Sequence, residues 1–154
     1  MTHPDIAALG FLVGRWEGEG TGHYPTIEAF GYRETVVIEP LPTPFLAYTQ
    51  RTSDARTGQP RHAESGYFRL VDGIPELVVC QPTGIVEAHA GTLDGQTLDL
   101  GSTAVASTPS ALGKTVTGTR RRITVEGDSM HYLLHLAAVG QPLQAHLQAQ
   151  LRRV

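Results

Sequence analysis

The sequence predicts an all-β protein, an antiparallel meander closed into a β-barrel of about ten strands after one short N-terminal helical turn. Seventeen glycines and ten prolines are spread along the chain. They punctuate short runs rich in Val, Ile, Thr, Tyr and Phe, as strands joined by tight turns do. No helical stripe is long enough to serve as a crossover, so each strand is expected to pair with its neighbours in sequence. A meander this long exposes two edges unless it closes on itself, and closure removes the template for aggregation.

Pro4 favours the start of a helix and Gly10 its end, which places the helical turn over Asp5–Leu9. Strands are expected at 14–21, 27–39, 45–53, 61–71, 76–82, 85–93, 97–105, 114–124, 129–139 and 143–152. In the first of these, period two puts Gly14, Trp16, Gly18 and Gly20 on one face and Arg15, Glu17 and Glu19 on the other. Trp16 is the only tryptophan and is expected to plug one end of the barrel. Pro40, Pro42 and Pro44 fix φ and remove ladder donors, so the chain between the second and third strands is a stiff loop. Ser53–Gln59 reads as a polar turn, and Ser107–Gly113 as the other long loop. Asp72-Gly73 and Asp94-Gly95 are hairpin signals because both residue types tolerate positive φ. Glu126-Gly127-Asp128 separates the eighth and ninth strands in the same way.

The chain has 154 residues, 40% hydrophobic and 18% charged, which suits one domain spanning 1–154 with a sizeable core. The net charge of −3 gives no overall drive toward nucleic acid, and the Arg120-Arg121-Arg122 run reads as a solvated face. No apolar run approaches the ~20 residues that span a bilayer. The first residues show no basic stretch followed by an apolar one, and the single cysteine, Cys80, reads as a small strand residue. These features predict a protein of the reducing cytoplasm. A homodimer is compatible with the sequence and not required by it.

Seven histidines are present: His3, His23, His62, His89, His131, His135 and His146. None forms a compact metal-ligand cluster in sequence. His62 and Glu64 share a strand face, either as a general-base pair or as a surface ion pair. His131 and His135 read as ordinary strand residues. In the last strand, alternation groups Leu143, Ala145, Leu147, Ala149 and Leu151 on one face and puts His146 on the other with Gln144, Gln148 and Gln150. Taken alone, that pattern makes the leucine face the core and exposes His146.

Gly14-Arg15-Trp16-Glu17-Gly18-Glu19-Gly20 could open several barrel families, among them lipocalins and fatty-acid-binding proteins. Its continuation into Tyr24-Pro25-Thr26-Ile27, together with Gly140-Gln141-Pro142-Leu143-Gln144-Ala145-His146-Leu147 near the end, resembles the nitrobindin family of haem-binding barrels, the mycobacterial members in particular. Phe45–Gln50 and Glu64–Arg69 extend the resemblance, and 96–113 matches least. The resemblance implies a b-type haem, Fe(III) at rest, with His146 as iron ligand and catalytic residue and the opposite coordination site vacant. It implies that Thr26 lies against the haem; on chemistry alone Thr26 is a turn residue capping its own backbone. It also implies that Lys114, the only lysine, pairs with a haem propionate; a solvated strand end is the alternative. The distal side is expected to be apolar, with Leu134 or Leu136 in its lining. The implied activity is isomerisation of peroxynitrite to nitrate, by cleavage of the O–O bond and recombination of the caged fragments. Nitric oxide is a second expected ligand. A non-catalytic nitric oxide carrier or sensor, or a haem-free barrel holding an apolar ligand, are the alternatives.

Overall fold

In the computed structural model, which describes residues 1–111 and 115–154, ten antiparallel strands close into a barrel. They are β1 (Gly14–Tyr24), β2 (Ile27–Pro40), β3 (Leu46–Asp54), β4 (Pro60–Val71), β5 (Ile74–Cys80), β6 (Ile85–Asp94), β7 (Thr97–Ser107), β8 (Val116–Glu126), β9 (Ser129–Ala138) and β10 (Gln144–Arg153). Each strand pairs with its sequence neighbours, and β1 pairs with β10, from Trp16 opposite Arg153 to Gly22 opposite Leu147, to close the ring. The turns fall where the glycines place them. Asp72 and Gly73 both take positive φ between β4 and β5, while Gly95 and Gly127 open the turns after β6 and β8.

One end of the barrel is sealed. A 3₁₀ segment over Pro4–Leu12 buries Ile6, Leu9 and Leu12 completely. It runs past Gly10, where the sequence suggested a stop, because Leu9 and Leu12 both contribute to the core and the Val13 amide bonds back to the Gly10 carbonyl. Trp16 lies beneath it, fully buried, and its indole N–H donates to the Leu12 carbonyl at 2.9 Å. The Arg153 guanidinium stacks 4.2 Å from the Trp16 ring and bonds the carbonyls of Phe11 and Val13, so the last strand clamps the first segment. Above this plug, Val36, Ile38, Leu46, Phe68, Leu77, Leu98, Leu100, Val125 and Leu151 fill the lower lumen.

Higher in the barrel the inward-facing residues change character. Glu34, Gln50, Glu64, Glu87, His89, Thr119 and Arg121 are all buried. Two expectations are corrected here. Arg121 is not part of a solvated face: between outward-facing Arg120 and Arg122 it shares the inward face of β8 with Thr119 and Val125. Glu64 is not in a surface ion pair, because the row His62, Glu64, Phe68 faces the lumen. On these two strands the faces follow alternation, and equating charge with exposure fails.

Candidate functional site

The open end of the barrel is bordered by the β1–β2, β3–β4, β5–β6 and β9–β10 turns, opposite the 3₁₀ plug. It contains a cavity of about 280 Å³ open to solvent, with apolar walls from Phe30, Ile85, Val116, Leu134, Leu136 and Leu147. Both leucines of β9 proposed for the lining are present. The wall is not wholly apolar, since Arg61, His62, Gln81 and Thr83 also reach it.

His146 lines the cavity alongside Leu147, although strict alternation separates them. The β10–β9 register explains this. Ala145 faces His135 and Leu147 faces Leu134, so His146 is an extra residue in a bulge. A bulge re-aims a side chain without ending the strand. Leu143 and Ala145, grouped with the core by alternation, are exposed. Across the β1–β10 edge, the His146 Nδ1–H donates to the His23 carbonyl at 2.8 Å. A carbonyl only accepts, so this contact assigns the ring proton to Nδ1 and the lone pair to Nε2. Tyr24 meets the ring edge-on at 5.2 Å between centroids, and Phe30 at 6.5 Å. Tyr24 is itself fixed, its hydroxyl accepting the Ala138 N–H at 2.9 Å. Gly22 makes room for this arrangement: a Cβ there would run into the Phe30 ring and Leu147.

The structure does not bring Thr26 into the cavity lining. It is exposed in the two-residue Pro25-Thr26 turn, three positions after His23. Lys114 lies outside the described residues.

Below the mouth, two hydrogen-bonded groups form a polar layer. In one, Arg121 binds both Glu64 oxygens and lies 3.3 Å from Glu87, while Tyr48 donates to Glu64 at 2.7 Å. His62 meets the other Glu64 oxygen at 3.3 Å. The Thr119 hydroxyl joins Glu87 at 2.5 Å to His89 at 2.9 Å, and His89 Nδ1–H donates to the Leu77 carbonyl at 3.2 Å. Burial alone would push the Glu64 carboxyl up; Arg121 and His62 overcome this and hold it well below the usual carboxylate range. Glu87 is likewise lowered against its burial, by His89, Arg121 and Thr119.

In the second group burial outweighs its compensation. Glu34 accepts from Gln50 Nε2 at 2.8 Å and from the Tyr132 hydroxyl at 2.7 Å, and Tyr132 also bonds Tyr32 at 2.6 Å. Burial dominates, and the Glu34 carboxyl rises from 4.5 to about 7. The folded protein therefore holds this proton more tightly than the unfolded chain does. Stability falls as pH rises from about 4.5 toward 7 and levels off above that. Glu34→Gln removes the slope. From pH 5 to pH 8 the variant is expected to gain roughly 2–3 kcal/mol on the wild type, measured by urea unfolding at each pH.

A model of the "THAP4-like, heme-binding beta-barrel domain" family matches residues 5–153. The chain belongs to this THAP4-like haem-binding β-barrel family. It is 45% identical to peroxynitrite isomerase 2 of Mycobacterium marinum, over 98% of this chain and 96% of that one. Identity to the peroxynitrite isomerase of Nocardia farcinica is 47%, covering 98% and 92% of the two chains. The crystal structure of Rv2717c from M. tuberculosis superposes with a TM-score of 0.91 at 41% identity, covering 100% of this chain and 99% of that one. The resemblance drawn from the sequence holds along the whole barrel.

Within this haem-binding barrel, sequence reasoning missed Arg61, Glu87, His89, Thr119 and Arg121 as lumen residues. A signal existed for most of them. Glu87 and His89 share a face with Ile85, and Thr119 and Arg121 with Ile123 and Val125, so each pair continues an apolar face.

Proposed function

We propose that residues 1–154 form one ferric haem b protein that isomerises peroxynitrite to nitrate, with His146 as the residue that would hold the iron. The observation that carries the assignment of His146 is its tautomer. An imidazole whose Nδ1–H is tied to a backbone carbonyl presents its Nε2 lone pair, the arrangement used by metal-ligating histidines. The cavity suits the group. Its apolar walls match the faces of a macrocycle. A volume of about 280 Å³ falls just short of the usual range for ligand sites (~300–1,000 Å³), so the charged edge of a porphyrin would extend through the open mouth. Thr26, in the turn beside His23, and Lys114, after β7, are proposed rim contacts for that edge. When bound, the iron supplies the redox chemistry. The chain would supply one imidazole nitrogen from His146 to hold the iron, apolar walls around it, and an opening for an anion to enter and leave. The test is stopped-flow decay of peroxynitrite. Haem-loaded protein is expected to accelerate it beyond an equal concentration of free haem, and equal rates would leave only a haem-binding barrel.

The same reading extends to nitric oxide as a second small ligand of the haem-loaded cavity. A cytoplasmic setting is supported by the single cysteine, and no described helix is long and apolar enough to cross a membrane. Pairing of two copies is supported by an apolar outer face where exposed Tyr67 and Val78 are cross-strand partners and exposed Val86 follows on β6. No role in binding nucleic acid is proposed at a net charge of −3.

A further inference from the structure

We infer that Arg61 and His62 form an oxyanion-binding wall facing His146 across the cavity. The inference rests on the haem reading above and adds to it the residues that select the ligand. Its starting point is a second bulge. In the β3–β4 ladder Thr52 faces His62 and Ser53 faces Pro60, so Arg61 is an extra residue. As with His146 and Leu147, the bulge delivers two consecutive side chains to one cavity. The two bulges sit on opposing walls, because β4 lies four strands from β10 around a ring of ten. Bulges at barrel rims are a recognised means of re-aiming side chains into sites.

Both side chains are fixed before any ligand arrives. The Arg61 guanidinium lies 4.0 Å from the Phe30 ring centroid and donates Nε–H and an Nη2 hydrogen to Asp54 Oδ2, at 3.1 and 3.0 Å. These contacts use two of its five donors and leave its fork at the mouth. Asp54 is held as an anion, at about 2, by the Thr57 amide, Arg61 and the Arg56 amide, so the pairing persists throughout the neutral range. The His62 backbone N–H donates to Thr52 Oγ1 at 3.1 Å, and its Nε2 rests on Glu64, which Arg121 anchors. The remaining guanidinium N–H donors recognise a small, planar oxygen-bearing anion, the class to which peroxynitrite and nitrate belong, and the His62 ring, its Nε2–H given to the Glu64 carboxylate, flanks them and shapes the wall. Glu64 and Glu87 line the same cavity and Asp54 already pairs with Arg61, so an anion is repelled from those sides and is held by the remaining Arg61 donors.

The test uses haem-loaded ferric protein and two anionic probes, azide and nitrite, titrated by the shift of the Soret band, with imidazole as a neutral probe. Arg61 and His62 side chains are each 36% exposed, so Arg61→Met, His62→Leu and the double variant are expected to fold and retain haem. The double variant should bind azide and nitrite roughly 10- to 100-fold more weakly, the scale of a lost charge-assisted hydrogen bond, with imidazole affinity changed less than ~2-fold. Unchanged anion affinity overturns the proposal. So does equal weakening of imidazole, which would report cavity shape alone. If Arg61→Met instead weakens haem retention with anion binding intact, Arg61 serves the porphyrin edge and the proposal falls. A wild-type protein that takes up no haem fails the underlying reading, and the absent Soret band distinguishes that result.

Discussion

His146→Ala is expected to abolish the Soret band of protein reconstituted with haem and to raise the haem dissociation constant by more than ~100-fold. The magnitude follows from the position proposed for this residue. Outer partners of a metal ligand alone are worth ~10–100-fold in affinity, and here the ligand itself is removed. The substitution should leave the barrel standing, because the His146 side chain is only partly buried at the mouth and its loss opens a space already continuous with solvent. Two controls separate ligation from general damage. His131→Ala and His135→Ala alter residues on the other face of β9 from Tyr132, Leu134 and Leu136, which line the lumen. Both should load haem like the wild type. Absorption spectra before and after a desalting column read the result. Retention of a full Soret band by His146→Ala would remove His146 from the site and with it the mechanism proposed above.

The barrel was legible from its punctuation. Asp72-Gly73, Gly95 and Gly127 lie at the turns they predicted, and Pro42 and Pro44 hold the loop between β2 and β3, with Pro40 closing β2. Trp16 was legible as a plug because a lone tryptophan among glycines on one strand face has little else to pack against. The position of His146 was not legible from periodicity. Alternation assumes an unbroken ladder, and a bulge costs one residue that no pattern in 143–151 announces; His146 lines the cavity where alternation pointed it outward. The lumen network was missed for another reason. Polarity stood in for exposure, yet a barrel wide enough for a ligand need not fill its upper lumen with hydrocarbon. Charges can be buried there when each finds a partner, as Glu64 finds Arg121 and Tyr48.

Arg121→Met should therefore be strongly destabilising, by about 3–5 kcal/mol. Methionine approximates the volume of the arginine stem, so the expected loss is electrostatic and not a cavity effect. Glu64 and Glu87 would remain buried at 4–5% exposure without the cation that compensates both. Total stability of a small domain is ~5–15 kcal/mol, so the variant sits near the edge of folding at neutral pH. The pH dependence identifies the cause. In the wild type Glu64 is held below its unfolded value, so its contribution is present above the unfolded carboxylate range and is lost only in strong acid. Without Arg121, burial becomes the leading influence and the Glu64 carboxyl should rise above its unfolded value. Its contribution then changes sign, and stability drops as pH climbs through the neutral range. Urea midpoints for Arg121→Met should approach wild type at pH 5 and diverge by pH 8. Adding Glu64→Gln and Glu87→Gln to Arg121→Met should restore most of the loss at pH 8, because it removes the stranded charges instead of replacing their partner. A triple variant no more stable than Arg121→Met would mean that the guanidinium acts through packing, and the charge-balanced lumen would have to be abandoned as the account of this barrel's upper core.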